Sequence, residues 1–164
     1  MMIRASAGIV LAAFLLVPVL LPSGGLARTE ERFVWTEKAS KGFISLIYGP
    51  LDASKQPLLL LSCFNEMDVA VLNVFGVIEG TRPGEKLTIE ISAGSSHPIE
   101  AQAELDDKTG VMFAEASGIE VGPVLNVLMA PGPLTIKMAA TSLTLSDAGR
   151  SDAAEKFGKD CELD

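Results

Sequence analysis

The feature that most narrows the possible folds is a series of short apolar runs, many of them alternating, each ended by glycine, proline or a polar turn. Lys86 to Ile91 is the cleanest: Leu87, Ile89 and Ile91 face one way and Lys86, Thr88 and Glu90 the other. That two-residue period belongs to a strand with one side in water. Ile44, Leu46 and Tyr48 alternate against Phe43, Ser45 and Ile47 before Gly49-Pro50, which predicts a strand covered on much of both faces. Phe33-Val34-Trp35-Thr36 reads as a first strand with aromatic core anchors. Leu58 to Phe64 and Val69 to Phe75, joined by Asn65-Glu66-Met67-Asp68, predict a β-hairpin. Beyond the break at Gly80-Thr81-Arg82-Pro83-Gly84, Ile99 to Glu104 and Val111 to Ala114 flank a turn at Asp106–Gly110. Leu134 to Met138 and Thr141 to Leu145 alternate again.

Two segments depart from this pattern. Val121 to Ala130 fits either a strand or a helix, because Val124, Leu125, Leu128 and Met129 also match helical spacing. From Ser151 onward the pattern is helical: Ser151 can cap, and Ala154, Phe157 and Cys161 fall at i, i+3 and i+7. The predicted class is mainly β, a β-sandwich or partly closed barrel of about eight short strands with one C-terminal helix.

The start of the chain obeys different rules. Gly8 to Pro22 carries no charged side chain, Arg4 precedes it, and Pro22-Ser23-Gly24-Gly25-Leu26-Ala27 follows. A basic start, an apolar run of roughly 7–15 residues and a small-residue cleavage site are the parts of a secretory signal. Gly25 and Ala27 suit the −3 and −1 positions, so cleavage is expected between Ala27 and Arg28. A spanning helix needs about 20 apolar residues, which this run does not reach before Pro18. Residues 1–27 therefore read as a signal peptide and 28–164 as a single domain working in the periplasm or secreted, with no membrane span once the signal is cleaved. The apolar signal also accounts for the positive mean hydropathy, +0.36. Removing Arg4 with it takes the net charge from −8 to −9. Such an acidic chain is a poor partner for nucleic acid, whose binding depends on Lys and Arg.

Export also bears on the two cysteines. Disulfides persist outside the reducing cytosol, and a chain with only Cys63 and Cys161 has one possible internal pairing. A redox pair is usually close in sequence, whereas these lie 98 residues apart. A structural staple tying the C-terminal helix to the Leu58–Phe64 strand is expected, worth roughly 4–5 kcal/mol in the chain-entropy model.

No catalytic set stands out. His97, the only histidine, sits in Gly94-Ser95-Ser96-His97-Pro98, which reads as an exposed loop without the partners of a serine hydrolase. Asp106-Asp107 with Gly110 superficially resembles a calcium loop but lacks its alternating acids, and turn chemistry explains it better. Glu66 with Asp68, or Glu115 with Glu120, could form a glycosidase pair, although one Trp and one Tyr offer few sugar platforms. Met112, Met129 and Met138 could supply thioethers to copper, but core packing is the default for methionine in apolar runs. Neither a cofactor nor a metal is expected.

Phe33-x-Trp35 soon after the signal, Tyr48-Gly49 closing a strand, Leu61-Ser62-Cys63 and the terminal Lys156-Phe157-x-x-x-Cys161 resemble small exported proteins of Gram-negative bacteria. More distantly, the layout is similar to the invasion-associated locus B proteins. The resemblance implies a small β-rich envelope protein and no reaction. Together these readings favour a non-catalytic binding or interaction module whose partner is an envelope protein or a small ligand. An envelope hydrolase with converging carboxylates, or a metal or small-ligand carrier, is the alternative.

Overall fold

Eight-residue strands β1 (Phe33–Ser40) and β2 (Phe43–Pro50) open the fold as a hairpin around Lys41-Gly42. The computed structural model describes residues 32–163 apart from 77 and 79. The expected signal segment, 1–27, and the Ala27–Arg28 junction lie outside the described residues. β3 (Leu59–Phe64) and β4 (Val69–Phe75) form the hairpin read from the sequence, turning through a short 3-10 segment at Asn65–Met67. β5 (Lys86–Ala93), β6 (Ser95–Leu105) and β7 (Met112–Ser117) follow, then helix α1 (Val121–Met129). β8 (Leu134–Met138), β9 (Thr141–Leu145) and helix α2 (Arg150–Asp160) complete the order.

Among the described residues all nine strands join in one antiparallel sheet, ordered β1-β2-β3-β4-β7-β6-β5-β8-β9. The sheet is not closed into a barrel: β1 and β9 are its two edges. They nevertheless come near each other. Trp35 Nε1 on β1 donates to the carbonyl of Ser146, just past β9, at 2.6 Å, and Ser146 N donates to the Tyr48 hydroxyl at 3.4 Å. The sheet therefore curls around a core that includes Leu46, Leu61, Leu72, Ile89, Ile136 and Phe157, all buried. The mainly-β class and the C-terminal helix are as the sequence indicates, and the ambiguous 121–130 segment is resolved as a second helix.

The reason α1 is helical lies in what it covers. Val121, Val124, Val127 and Leu128 are buried along one face, and α1 packs on β5 and β6. The buried residues of those strands include Ala93, Ala101 and Ala103, so the wall is low enough to admit a helix. Pro123 falls in the first turn, where no internal N–H bond is lost. At the other end the helix is closed by a residue from α2. Arg150, 1 % exposed, donates from Nε to Leu128 O at 2.8 Å and from Nη2 to Gly132 O at 2.8 Å, and also to Ala130 O. The guanidinium thus supplies donors where the helix leaves carbonyls unpaired and where its dipole favours positive charge. Burial pushes the Arg150 pKa down, against the opposing pull of Asp147.

α2 lies against α1, β1 and β2. Ala154, Phe157 and Cys161 are all buried, on the face read from their spacing. The start of the helix corrects the sequence reading. Gly149, with φ of 78°, is the capping residue, and Ser151 lies inside the helix, where its side chain makes no cap bond. Gly158 permits the close approach of the two helices: a Cβ there would stand 2.8 Å from Leu125 Cδ1. Cys161 is bonded to Cys63 with Cα atoms 5.8 Å apart. Asn65 reinforces the join, donating to Asp160 O at 3.0 Å and accepting from Glu162 N at 3.2 Å.

One ion pair bridges α2 and the edge strand. Glu37 on β1 keeps only 2 % of its side chain exposed and pairs with Lys156 Nζ on α2. The hydrogen bond and charge of Glu37 hold the Lys156 ammonium above the ordinary lysine value of 10.5. A pKa raised by folding contributes stability that is complete below the unfolded value and disappears as pH rises through the folded one. The difference in Tm between the native chain and Lys156→Met should therefore be present at neutral pH and close above pH 10.5. A difference that persists unchanged into strong alkali would show that the contact acts by packing alone.

Candidate functional site

The strands have a second, outward face, and the registers arrange it in rows. One row runs from Thr36 through Ile47, Leu60, Asn73, Glu115 and Gln102 to Lys86. Its character changes along the way. Over β1–β3 it is largely apolar; over β7, β6 and β5 it is polar and charged.

Each end of the row has its own concavity. At the β1–β3 end, Val34, Thr36, Ile47 and Leu60 floor a groove of about 260 Å³ overhung by the 50–57 loop, with Leu51 and Ala53 on its walls. The charged residues on those walls are Lys38 and Lys55. Gly49 lets the loop fold back this closely: a Cβ there would sit 3.0 Å from Pro57 Cβ. At the other end an open hollow of about 520 Å³ is lined by Lys86, Thr88, Glu100, Gln102, Glu104 and Glu115, among others.

The hollow brings together only part of what the sequence singled out. Glu115 faces it, but Glu120 is the residue preceding α1 and does not line it. Glu66 and Asp68 are both exposed at the tip of the β3–β4 hairpin, Asp68 with a left-handed backbone at φ of 55°. Of these four acids only Glu115 lines a concavity. The structure instead gathers Glu115 with Glu100 and Glu104, which sequence inspection passed over. Their signal was present: Glu100, Gln102 and Glu104 are every second residue of the strand opposite Lys86 and Thr88. Trp35 and Tyr48, the rings a sugar site would use, are buried beneath the sheet. Among the described residues no three His, Cys, Asp or Glu side chains are placed to hold a metal ion.

The remaining candidates are dispersed. His97 is not in a loop: it lies within β6, opposite Ile91, half-buried, and no described hydrogen bond joins it to a serine or a carboxylate. Pro98 beside it is tolerated because β7 pairs with β6 only from Gln102 to Leu105, so the missing N–H falls on an unpaired margin. Asp106 spends its carboxylate on its own turn, accepting from Lys108 N at 2.8 Å. That bond, with others from Thr109, holds its pKa below the ordinary value. Met138 is in the core, Met112 is half-buried and Met129 is 40 % exposed on α1, so core packing accounts for the first and not the last.

These features define a mainly-β, disulfide-joined protein with an apolar, lysine-walled groove and an acidic hollow on one face of a single sheet. Among the described residues no helix is long and apolar enough to cross a membrane. Comparison with protein-family models, curated proteins and solved structures found no match.

Proposed function

We propose that this chain is an exported cell-envelope protein, periplasmic or secreted, acting as a non-catalytic binding or interaction module. The observation that carries the reading is the overhung apolar groove on the outside of a sheet whose core is complete without it. Half-exposed Ile47 and Leu60 are not needed to bury α1 or α2, so they offer contact area to something else. The disulfide and the Ala27–Arg28 cleavage motif support the compartment, and the distant likeness to invasion-associated locus B proteins agrees with it. The acidic hollow favours the hydrolase alternative less, since it is broad and open and its acids are not held by neighbouring buried groups.

The test is in-cell photocrosslinking from Thr36 in the groove and, separately, from Thr88 in the hollow, with mass spectrometry of the adducts. The mature chain should begin at Arg28, weigh two protons less than its reduced form, and give discrete adducts from Thr36. Recovery of an unprocessed cytosolic chain, or no adduct from either position, would refute the proposal. Turnover abolished by Glu115→Gln would transfer the case to the hydrolase.

A further inference from the structure

We infer that Asn65 is the positioning residue for closure of the Cys63–Cys161 disulfide, its side-chain amide clasping the backbone on both sides of Cys161 whether or not the sulfurs are joined. Nδ2 donates to Asp160 O at 3.0 Å, and Oδ1 accepts from Glu162 N at 3.2 Å. Those two groups flank Cys161 directly. The same Oδ1 stands 3.0 Å from Cys63 Sγ, and an amide oxygen has lone pairs enough for both contacts. One side chain thus touches both halves of the bond. Asn65 is itself anchored, because its backbone N–H donates to Gly42 O at 3.0 Å and so ties it to the β1–β2 turn. This role holds whatever the protein binds.

Packing alone does not place Cys161. Ala154 and Phe157 seat α2, but the helix ends at Asp160 and Cys161 lies one residue beyond, where helices fray. Cys161 N donates back to Phe157 O at 2.8 Å, and Asn65 takes the carbonyl before it and the N–H after it. The resulting Cα separation from Cys63 is 5.8 Å, within the roughly 4.4–6.8 Å that a disulfide can bridge. None of these three hydrogen bonds involves sulfur, so the reduced chain can make them too. Closure by oxidised glutathione then takes two exchanges. The thiolate of Cys161, the more exposed of the pair at 7 % against 0 %, attacks one glutathione sulfur, giving a mixed disulfide and one glutathione thiolate. The Cys63 thiolate attacks the Cys161 sulfur, the internal bond forms, and the second glutathione leaves as its thiolate. Two protein thiols lose two electrons and two protons, and oxidised glutathione gains both to become two thiols. The clasp acts on the second exchange, which is intramolecular and depends on how well the two sulfurs are held together.

The experiment mixes the mature, reduced chain with oxidised glutathione, in sucrose to favour the folded state. Acid quenching and mass spectrometry resolve the reduced, mixed-disulfide and closed species. The native chain should close with little mixed disulfide accumulating. Asn65→Ala should accumulate it and close about tenfold more slowly, the loss expected for two neutral hydrogen bonds. In a glutathione redox buffer its ratio of closed to open chain should fall by a similar factor. Ile136→Val removes a buried methylene from β8, which does not pair with β3; it lowers Tm without touching the clasp and should close at the native rate. In concentrated urea the native and Asn65→Ala chains should close equally, since the clasp exists only when folded. Asn65→Asp keeps an acceptor for Glu162 N but not the donor to Asp160 O, and should be slowed a few-fold. It replaces the alanine variant if circular dichroism finds that chain unfolded when reduced. A native chain that unfolds on reduction, native-rate closure by either Asn65 variant, equal slowing in Ile136→Val, or a difference that survives in urea would overturn the assignment.

Discussion

Serine in place of Cys63 or Cys161 should destabilise the protein by about 4–5 kcal/mol, between about a third and nearly all of the roughly 5–15 kcal/mol that a domain of this kind holds. The bond closes a loop with a sequence separation of 98 and joins the end of α2 to β3. Without it the unfolded chain gains the freedom that the bridge removes, and the end of the helix is left to dock by Ala154, Phe157 and the Asn65 bonds, with Arg150 and Lys156 as its other ties. The measurement is the urea midpoint of each serine variant and of the reduced native chain. All three should fall together. A drop below about 1 kcal/mol would mean that the noncovalent contacts of α2 suffice to hold it and that the entropic account is wrong here.

Replacing Arg150 should be nearly as damaging. Arg150→Met keeps much of the volume but removes the bonds to Leu128, Ala130 and Gly132. Each hydrogen bond to a charged group contributes about 1.5–3 kcal/mol, and the losses do not simply add, so a drop of about 3 kcal/mol is expected. Arg150→Lys should recover only part of it, because an ammonium cannot span several carbonyls as the planar guanidinium does. Hydrogen exchange at the end of α1 gives the local readout: amides near Val127 and Leu128 should lose protection in the Met variant before those of β3. Equal stability of the Met and native chains would show that the three bonds only offset the cost of burying the charge.

These two contacts differ in how far they could be read in advance. The disulfide needed only a count of cysteines and an inferred compartment. Arg150 gave no sign, since an arginine beside Gly149 looks like any solvated surface residue until the tail of α1 is found above it. The same contrast runs through the site. The outward alternation of Lys86, Thr88 and Glu90 was legible, yet nothing along the chain said that Glu115 would stand beside Gln102 rather than near Glu120. His97 was misplaced because Pro98 reads as a loop residue, and only the sheet's stagger explains a proline within β6. The groove escaped notice because Val34, Ile47 and Leu60 look like core until the registers turn them outward.

What the sequence determined by itself was local: which runs extend, where glycine and proline stop them, that Phe157 and Cys161 share a helix face, and that the cysteine pair has one way to close. Those depend on backbone preference and side-chain period, which act over a few residues. Tertiary structure alone decided the strand order, the helical state of Val121–Met129 and the opposite charge of the two concavities. Each of these depends on which strand lies beside which, and the side-chain period of two leaves that choice open. The alternating runs that first limited the possible folds say that each strand has two faces; the folded sheet spends one on the core and turns the other outward.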